Sequence, residues 1–223
     1  MFTLAVCESA LVILKRMTKC IAVLGANGRS GREFVLAALA AGYTVRAGVH
    51  GGSIEPKKGL NVIDCDATNQ ADVARLLNGA DFVVSLIGHV PGSPKEVQTN
   101  AIKTIIQAMR TKNLTRIVSL TGTGVRFPGD RPSLIDRLAN FSIKIIDPNR
   151  VKDGISHAKV LQSSQLNWTI VRVLKLTNGP ASELRLTSGG PAKQLTSRAE
   201  VAQAILRILE DPEFYQKAPV ISK

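Results

Sequence analysis

Cys20-Ile21-Ala22-Val23-Leu24-Gly25-Ala26-Asn27-Gly28-Arg29-Ser30-Gly31 is a short apolar run that opens into three glycines, each three residues from the next. A helical pattern follows from Gly31 to Ala41, with Gly42 as its stop signal. Glycines set between a strand and a helix are far more informative than glycines alone. Gly25 allows the tight turn, Gly28 lets a backbone approach a pyrophosphate, and Gly31 lets the helix pack close to the strand. The helix start adds unpaired N–H donors and the positive end of its dipole, and Asn27 and Ser30 add side-chain donors. The stretch therefore predicts a dinucleotide phosphate loop, spaced G-x-x-G-x-x-G rather than the commoner G-x-G-x-x-G.

The chain beyond it keeps the rhythm of alternating strand and helix. Strands are expected at Thr44 to Val49, Val62-Ile63, Phe82 to Ile87, Arg116 to Leu120 and Trp168 to Val173. Helices are expected at Asp72 to Leu77, capped near Asn69, at Glu96 to Lys112, Ile155 to Ser164 and Arg198 to Leu209. Short connections between such units specify parallel strands and right-handed crossovers. The fold class expected is α/β, a Rossmann-type doubly wound parallel sheet in a single domain with a small C-terminal substrate-side segment. Residues 123–154 interrupt the rhythm with glycine, proline and charge around a helical patch at Leu134 to Ile146, an insertion placed to cover the site. Residues 174–197 read as irregular.

Composition agrees. A chain of 223 residues with 44% apolar and 21% charged residues suits one sizeable globular domain. With aromatics at only 4%, the core must be aliphatic, as in a helix-covered parallel sheet. The net charge of +12 calls for an anionic partner. Nucleic acid, anionic lipid and a phosphate-rich cofactor are the options. Because the basic residues are scattered without interleaved aromatics, they read as a solvated surface rather than a nucleic-acid site. Cys7, Cys20 and Cys65 lack metal-ligand spacing, so no metal is expected and a reducing, cytoplasmic setting is. No apolar run is long enough to cross a bilayer. The opening Met1 to Leu14 carries its positive charges behind it, the wrong order for a signal peptide. Residues 1–16 are read as an N-terminal extension ahead of a natural start at Met17, with 17–223 forming the domain.

The second strand addresses which dinucleotide is bound. An NAD-selective site places an acid near its end, yet Thr44 to Ile54 contains none. It offers Arg46 and His50 instead, with Arg29 in the loop nearby, and guanidinium or imidazolium welcomes a 2′-phosphate. NADP(H) is expected over NAD(H), with Arg29 the first choice of ligand.

Further motifs carry a family resemblance. Asp64-Cys65-Asp66-Ala67-Thr68, Gly79-Ala80-Asp81-Phe82-Val83-Val84-Ser85-Leu86-Ile87-Gly88, Val118-Ser119-Leu120-Thr121-Gly122 and Leu166-Asn167-Trp168-Thr169-Ile170-Val171-Arg172 join the glycine loop. With Thr196-Ser197-Arg198-Ala199-Glu200-Val201-Ala202 they span residues 19–210 in order. The whole resembles the atypical short-chain dehydrogenase/reductases, and most of all the NmrA-like group that includes biliverdin-IXβ/flavin reductases. The resemblance implies that Asp66 and Ala67 lie against the adenine and Ile87 and Gly88 along the ribose and phosphate. It sets Thr121, Gly122, and Arg172 with the segment after it, near the nicotinamide. The chain departs from the family at Val173-Leu174, where Pro-Gly is usual, and at Gly122, where many relatives have serine.

Ordinary short-chain dehydrogenases use a Tyr-x-x-x-Lys pair. Here the only tyrosines are Tyr43 and Tyr215, and neither is followed four residues on by lysine. Alcohol–ketone chemistry by that route is not expected. Hydride transfer to a flavin or linear tetrapyrrole needs less from the protein, because the acceptor is already electrophilic. The expectation is an NADPH-dependent reductase of a flat conjugated small molecule, monomeric or weakly dimeric, with His157 and Thr121 as candidate catalytic residues and His89 and Thr123 behind them. The alternative is a non-catalytic NADP(H)-sensing regulator that acts through protein partners; an epimerase or isomerase is third.

Overall fold

The computed structural model describes residues 19–222. The extension expected at 1–16, and Cys7, lie outside the described residues. β1 (Cys20–Leu24) leads through the glycine loop into α1 (Arg29–Ala40), followed by β2 (Thr44–Val49), β3 (Leu60–Asp64), α2 (Gln70–Leu76) and β4 (Phe82–Ser85). Next come α3 (Val97–Thr111), β5 (Arg116–Gly122), α4 (Leu134–Ile146), α5 (Pro148–Gln162) and β6 (Asn167–Val173). The chain closes with β7 (Leu176–Thr177), β8 (Arg185–Thr187), β9 (Thr196–Ser197), α6 (Arg198–Leu209), a short 3-10 turn at Pro212–Phe214 and β10 (Val220–Ser222).

Eight strands form one sheet in the order β3-β2-β1-β4-β5-β6-β10-β8, parallel except where β8 runs against β10. The expected doubly wound α/β architecture is the one observed. Alternation along each strand divides the core in two. Ile21, Val23, Val118 and Val171 point to one face under α1 and α6, while Ala22, Leu24, Ile117 and Ile170 point to the other, under α2, α3 and α5. The strand order reverses between β1 and β4, which opens a crevice at their carboxyl ends.

Local chemistry sets the helix starts. Asn69 caps α2 by accepting from the Ala71 and Asp72 N–H groups, and Ser133 and Ser197 open α4 and α6 in capping boxes with Asp136 and Glu200. The segment expected to be irregular holds three short strands, β7 to β9, and α5 begins at Pro148 rather than Ile155. Asp147 caps it, and Pro148 at its first position supplies a pre-set φ and lacks only an N–H that would go unpaired there.

Candidate active site

The glycine loop is built as its spacing demands. Gly25 has φ +73°, and a Cβ there would stand 3.1 Å from the Leu86 backbone. At Gly31 a Cβ would fall 2.1 Å from the Gly25 carbonyl oxygen, so α1 can lie this close to β1 only without a side chain. The start of α1 differs from every other α-helix among the described residues. Asn69, Ser133, Asp147 and Ser197 each cap their own helix, and α3 receives Asp153, which accepts from the Gln98 and Thr99 N–H groups at 2.9 Å. No side chain caps α1. Its free N–H donors face the crevice with a positive dipole end behind them, the arrangement that receives a phosphate.

From this loop a cleft of about 420 Å³ runs along the carboxyl ends of β4, β5 and β6. Arg29, Ser30, Ile87, Gly88 and Thr121 line it, together with Gly122. Its far walls set aliphatic side chains, Leu120 and Val173 from the sheet, Leu174 beyond it, and Val125, Ile143 and Val151 from the insertion and the start of α5, among Asn140, Arg150 and Lys175. Gln98, absent from the sequence reading, also lines it and holds the Ile87 carbonyl through Nε2 at 2.8 Å. His89 lines it as well, its Nε2 donating at 2.8 Å to the buried Asp153. Asn140, from α4, donates to Thr123 Oγ1 at 3.1 Å and fixes the insertion over the end of β5.

At the end of β2, Asn27 Nδ2 donates to the His50 and Gly51 carbonyls, both at 3.2 Å, and ties the loop to that strand. Asp66 accepts from the Thr68 N–H and hydroxyl, and these bonds, aided by the His50 charge, hold its carboxyl below the usual range. His50, Asp66 and Ala67 therefore stand at the ends of β2 and β3, outside the central cleft. Arg32, overlooked in the sequence, belongs to this end too. Its Nε donates to the Asn27 carbonyl at 3.0 Å and its Nη2 to that of Ser53 at 2.8 Å. The signal was its position one helical turn beyond Arg29 on the same face of α1.

Three residues expected in the site are turned to other work. Arg46 points to the face of the sheet under α2, where Nε and Nη2 donate to the Leu76 and Arg75 carbonyls at 2.7 and 2.8 Å and close the last turn of α2. Arg172 is 0% exposed. It forms a bidentate pair with Asp130 at 2.5 and 2.8 Å and donates to the Ala218, Val125 and Ser188 carbonyls, tying the insertion to the sheet edge. His157 is 2% exposed behind β5, bonded through Nε2 to Ser119 Oγ at 2.8 Å, and does not line the cleft. Burial pushes its pKa down to about 4 against a smaller opposing effect of Asp153, so it is neutral and cannot serve as an acid at neutral pH. Of the two leading catalytic candidates only Thr121 lines the cleft, and of the two behind them His89 does and Thr123 does not.

The tyrosines stand apart from it. Tyr43 is core, bonded to Glu210 at 2.6 Å, and Tyr215 stacks on Arg116. Arg198, at the head of α6, was also overlooked. It lines the cleft, and burial first and then the like charge of Arg29 lower its pKa, with Glu33 opposing.

An α/β sheet with an uncapped helix start at its strand-order reversal is the arrangement of a nucleotide-binding protein. The NAD(P)H-binding family model matches residues 25–212, and the chain belongs to that family. Solved structures share the fold. A short-chain dehydrogenase/reductase from Veillonella parvula in complex with NADP superposes with a TM-score of 0.78 at 21% identity, over 92% of this chain and 94% of that one. The oxidoreductase ylbE from Lactococcus lactis gives 0.77 at 16% identity, over 92% and 90%. ChuY, an anaerobillin reductase from Escherichia coli O157:H7, gives 0.71 at 19% identity, over 92% and 97%. Among the described residues no helix is long and apolar enough to cross a membrane.

Proposed function

We propose that the protein is an NADPH-dependent reductase of a flavin or a similarly flat, conjugated small molecule. The observation that carries this reading is the cleft itself: it continues past the phosphate loop and Thr121 into a slot walled by Leu120, Val125, Ile143, Val151, Val173 and Leu174, with neither tyrosine on its wall. When bound, NADPH supplies the hydride. The α1 N–H groups, Ser30 and Arg29 hold its diphosphate, and the aliphatic walls hold a planar acceptor and keep water from it. Thr121, at the end of β5, offers a hydroxyl on the cleft wall for orienting the acceptor's polar edge. Such chemistry asks for positioning more than for acid catalysis, which suits a site where His157 is sealed away and His89 is tied to Asp153. The complex of a fold neighbour with NADP and the reductase activity of another are in keeping with it.

NADP(H) is the preferred cofactor in this reading. Arg32 and His50 flank the end of β2, the stretch Thr44 to Ile54 carries no acid, and Asp66 at the end of β3 is engaged by the Thr68 N–H and hydroxyl. Arg32 thus takes the role that the sequence assigns first to Arg29. Steady-state oxidation of NADPH in the presence of FMN or riboflavin tests the activity. Flavin-dependent turnover is expected; NADPH that binds without any turnover would defeat the reductase reading.

A further inference from the structure

The cleft carries more positive charge than a dinucleotide diphosphate requires. Among the described residues its wall includes Arg29, Arg150, Lys175 and Arg198 and no carboxylate. Arg150 is matched from outside by Asp147 at 3.2 Å. Arg29 stands at the phosphate loop. Arg198 is different: the residue is only 7% exposed, its Nη1 donates to Asn178 Oδ1 at 2.6 Å, and its Nε has no hydrogen-bond partner among the described residues. A buried guanidinium with an unmade bond is costly unless a ligand completes it. Glu200, two residues on, is committed elsewhere, accepting from the Ser197 N–H, Ser182 and Lys193.

Topology brings Arg198 to the acceptor's end. β7 pairs with β9 in the register Leu176↔Thr196 and Thr177↔Ser197, so the residue after β9 lies beside the stretch Val173–Leu176 that walls the cleft beyond Thr121. α6 also packs along α1. Both helices return antiparallel to the sheet, so their positive ends open on the same edge.

We propose that Arg198 is a binding residue for an acidic arm, a phosphate or carboxylate, on the hydride acceptor. Resting on the reductase reading, this narrows the substrate class to flat conjugated molecules that are anionic. The cofactor diphosphate is served by the α1 N–H groups and Arg29, whereas the guanidinium of Arg198, on the cleft wall beside β7, can meet a second anion.

FMN and riboflavin differ only in a phosphate, which makes them the probes. Their affinities for the full chain saturated with NADP⁺ are measured by quenching of flavin fluorescence, a readout independent of turnover. FMN is expected to bind about tenfold or more tighter than riboflavin. Arg198→Met should abolish that preference while changing the riboflavin and NADPH dissociation constants less than about twofold, and Arg198→Lys should keep part of it. Melting temperatures confirm that the variants are folded. Equal FMN and riboflavin affinity in the parent protein, or no flavin binding at all, overturns the proposal. A loss of NADPH affinity in Arg198→Met as large as the loss for FMN also overturns it and returns Arg198 to the cofactor diphosphate. Absence of NADPH oxidation counts against the reductase reading alone, since binding is measured without it.

Discussion

His157 shows how far a residue's surroundings can carry it from its apparent purpose. Its environment behind β5 is nearly dry, and its partner is a neutral hydroxyl, so protonation inside the fold is disfavoured and the pKa drops from 6.5 to about 4. The unfolded chain binds a proton near pH 6.5 and the folded one does not until about pH 4. This contribution to stability is therefore complete above pH 6.5 and is lost as pH falls towards 4, by up to about 3 kcal/mol. Urea denaturation between pH 7 and pH 4 should show that loss, and His157→Gln should flatten it. An unchanged pH profile in the variant would mean that another group drives the loss. Arg46, Arg172 and His157 share one lesson: a charge pattern names the residue types present, while the face of the strand or helix decides which of them reach a ligand.

Arg116 acts at the scale of elements. From β5 it reaches under the end of α6, where Nε and Nη2 donate to the Leu209 and Ile208 carbonyls at 2.8 and 2.7 Å, and Nη1 donates to Thr169 Oγ1 at 2.7 Å. Tyr215 covers the guanidinium at 4.7 Å. Burial lowers its pKa to about 10, so it stays charged at neutral pH. Arg116→Met should destabilise the protein by about 3 kcal/mol, because several buried acceptors lose their donor at once. Thermal unfolding measures this, and a shift below about 1 kcal/mol would show that water replaces the guanidinium. NADPH affinity should change little, since the phosphate loop sits at the opposite ends of α1 and β1. The helix α4 shows a different balance. Leu134, Leu138, Phe141 and Ile146 are 80%, 69%, 61% and 78% exposed, while Asn140 and Ile143 turn to the cleft. Leu138→Gln should cost less than about 0.5 kcal/mol, as measured by urea unfolding, because that side chain leaves little water behind on folding. A loss of several kcal/mol would mean that this face is covered in solution.

For the molecule as a whole, cofactor binding is a stability term. A ligand at a hundred times its dissociation constant adds about 2.7 kcal/mol, a rise of several degrees in Tm for a domain of this size. Equal concentrations of NADPH and NADH should therefore give unequal shifts, NADPH the larger, and Arg32→Ala should bring the two together. Equal shifts in the parent protein would refute the preference for the 2′-phosphate.

Much of this architecture was legible before folding. The apolar run into Gly25, Gly28 and Gly31 determined the strand, turn and helix of the phosphate loop, because each depends on neighbours only a few residues away. The same holds for the alternating units through β6, whose periodicities of two and near four are written locally. The sequence did not disclose β10, three residues long, which exists through pairing with β6 and β8. Nor could it distinguish Arg32, which stands against the glycine loop, and Arg198, which lines the cleft, from Arg46 and Arg172, which close a helix and a buried ion pair. All four are the same side chain, and their different fates come from contacts with residues up to 47 positions away. Local spacing set the loop that receives a phosphate; only tertiary packing decided which charges surround it.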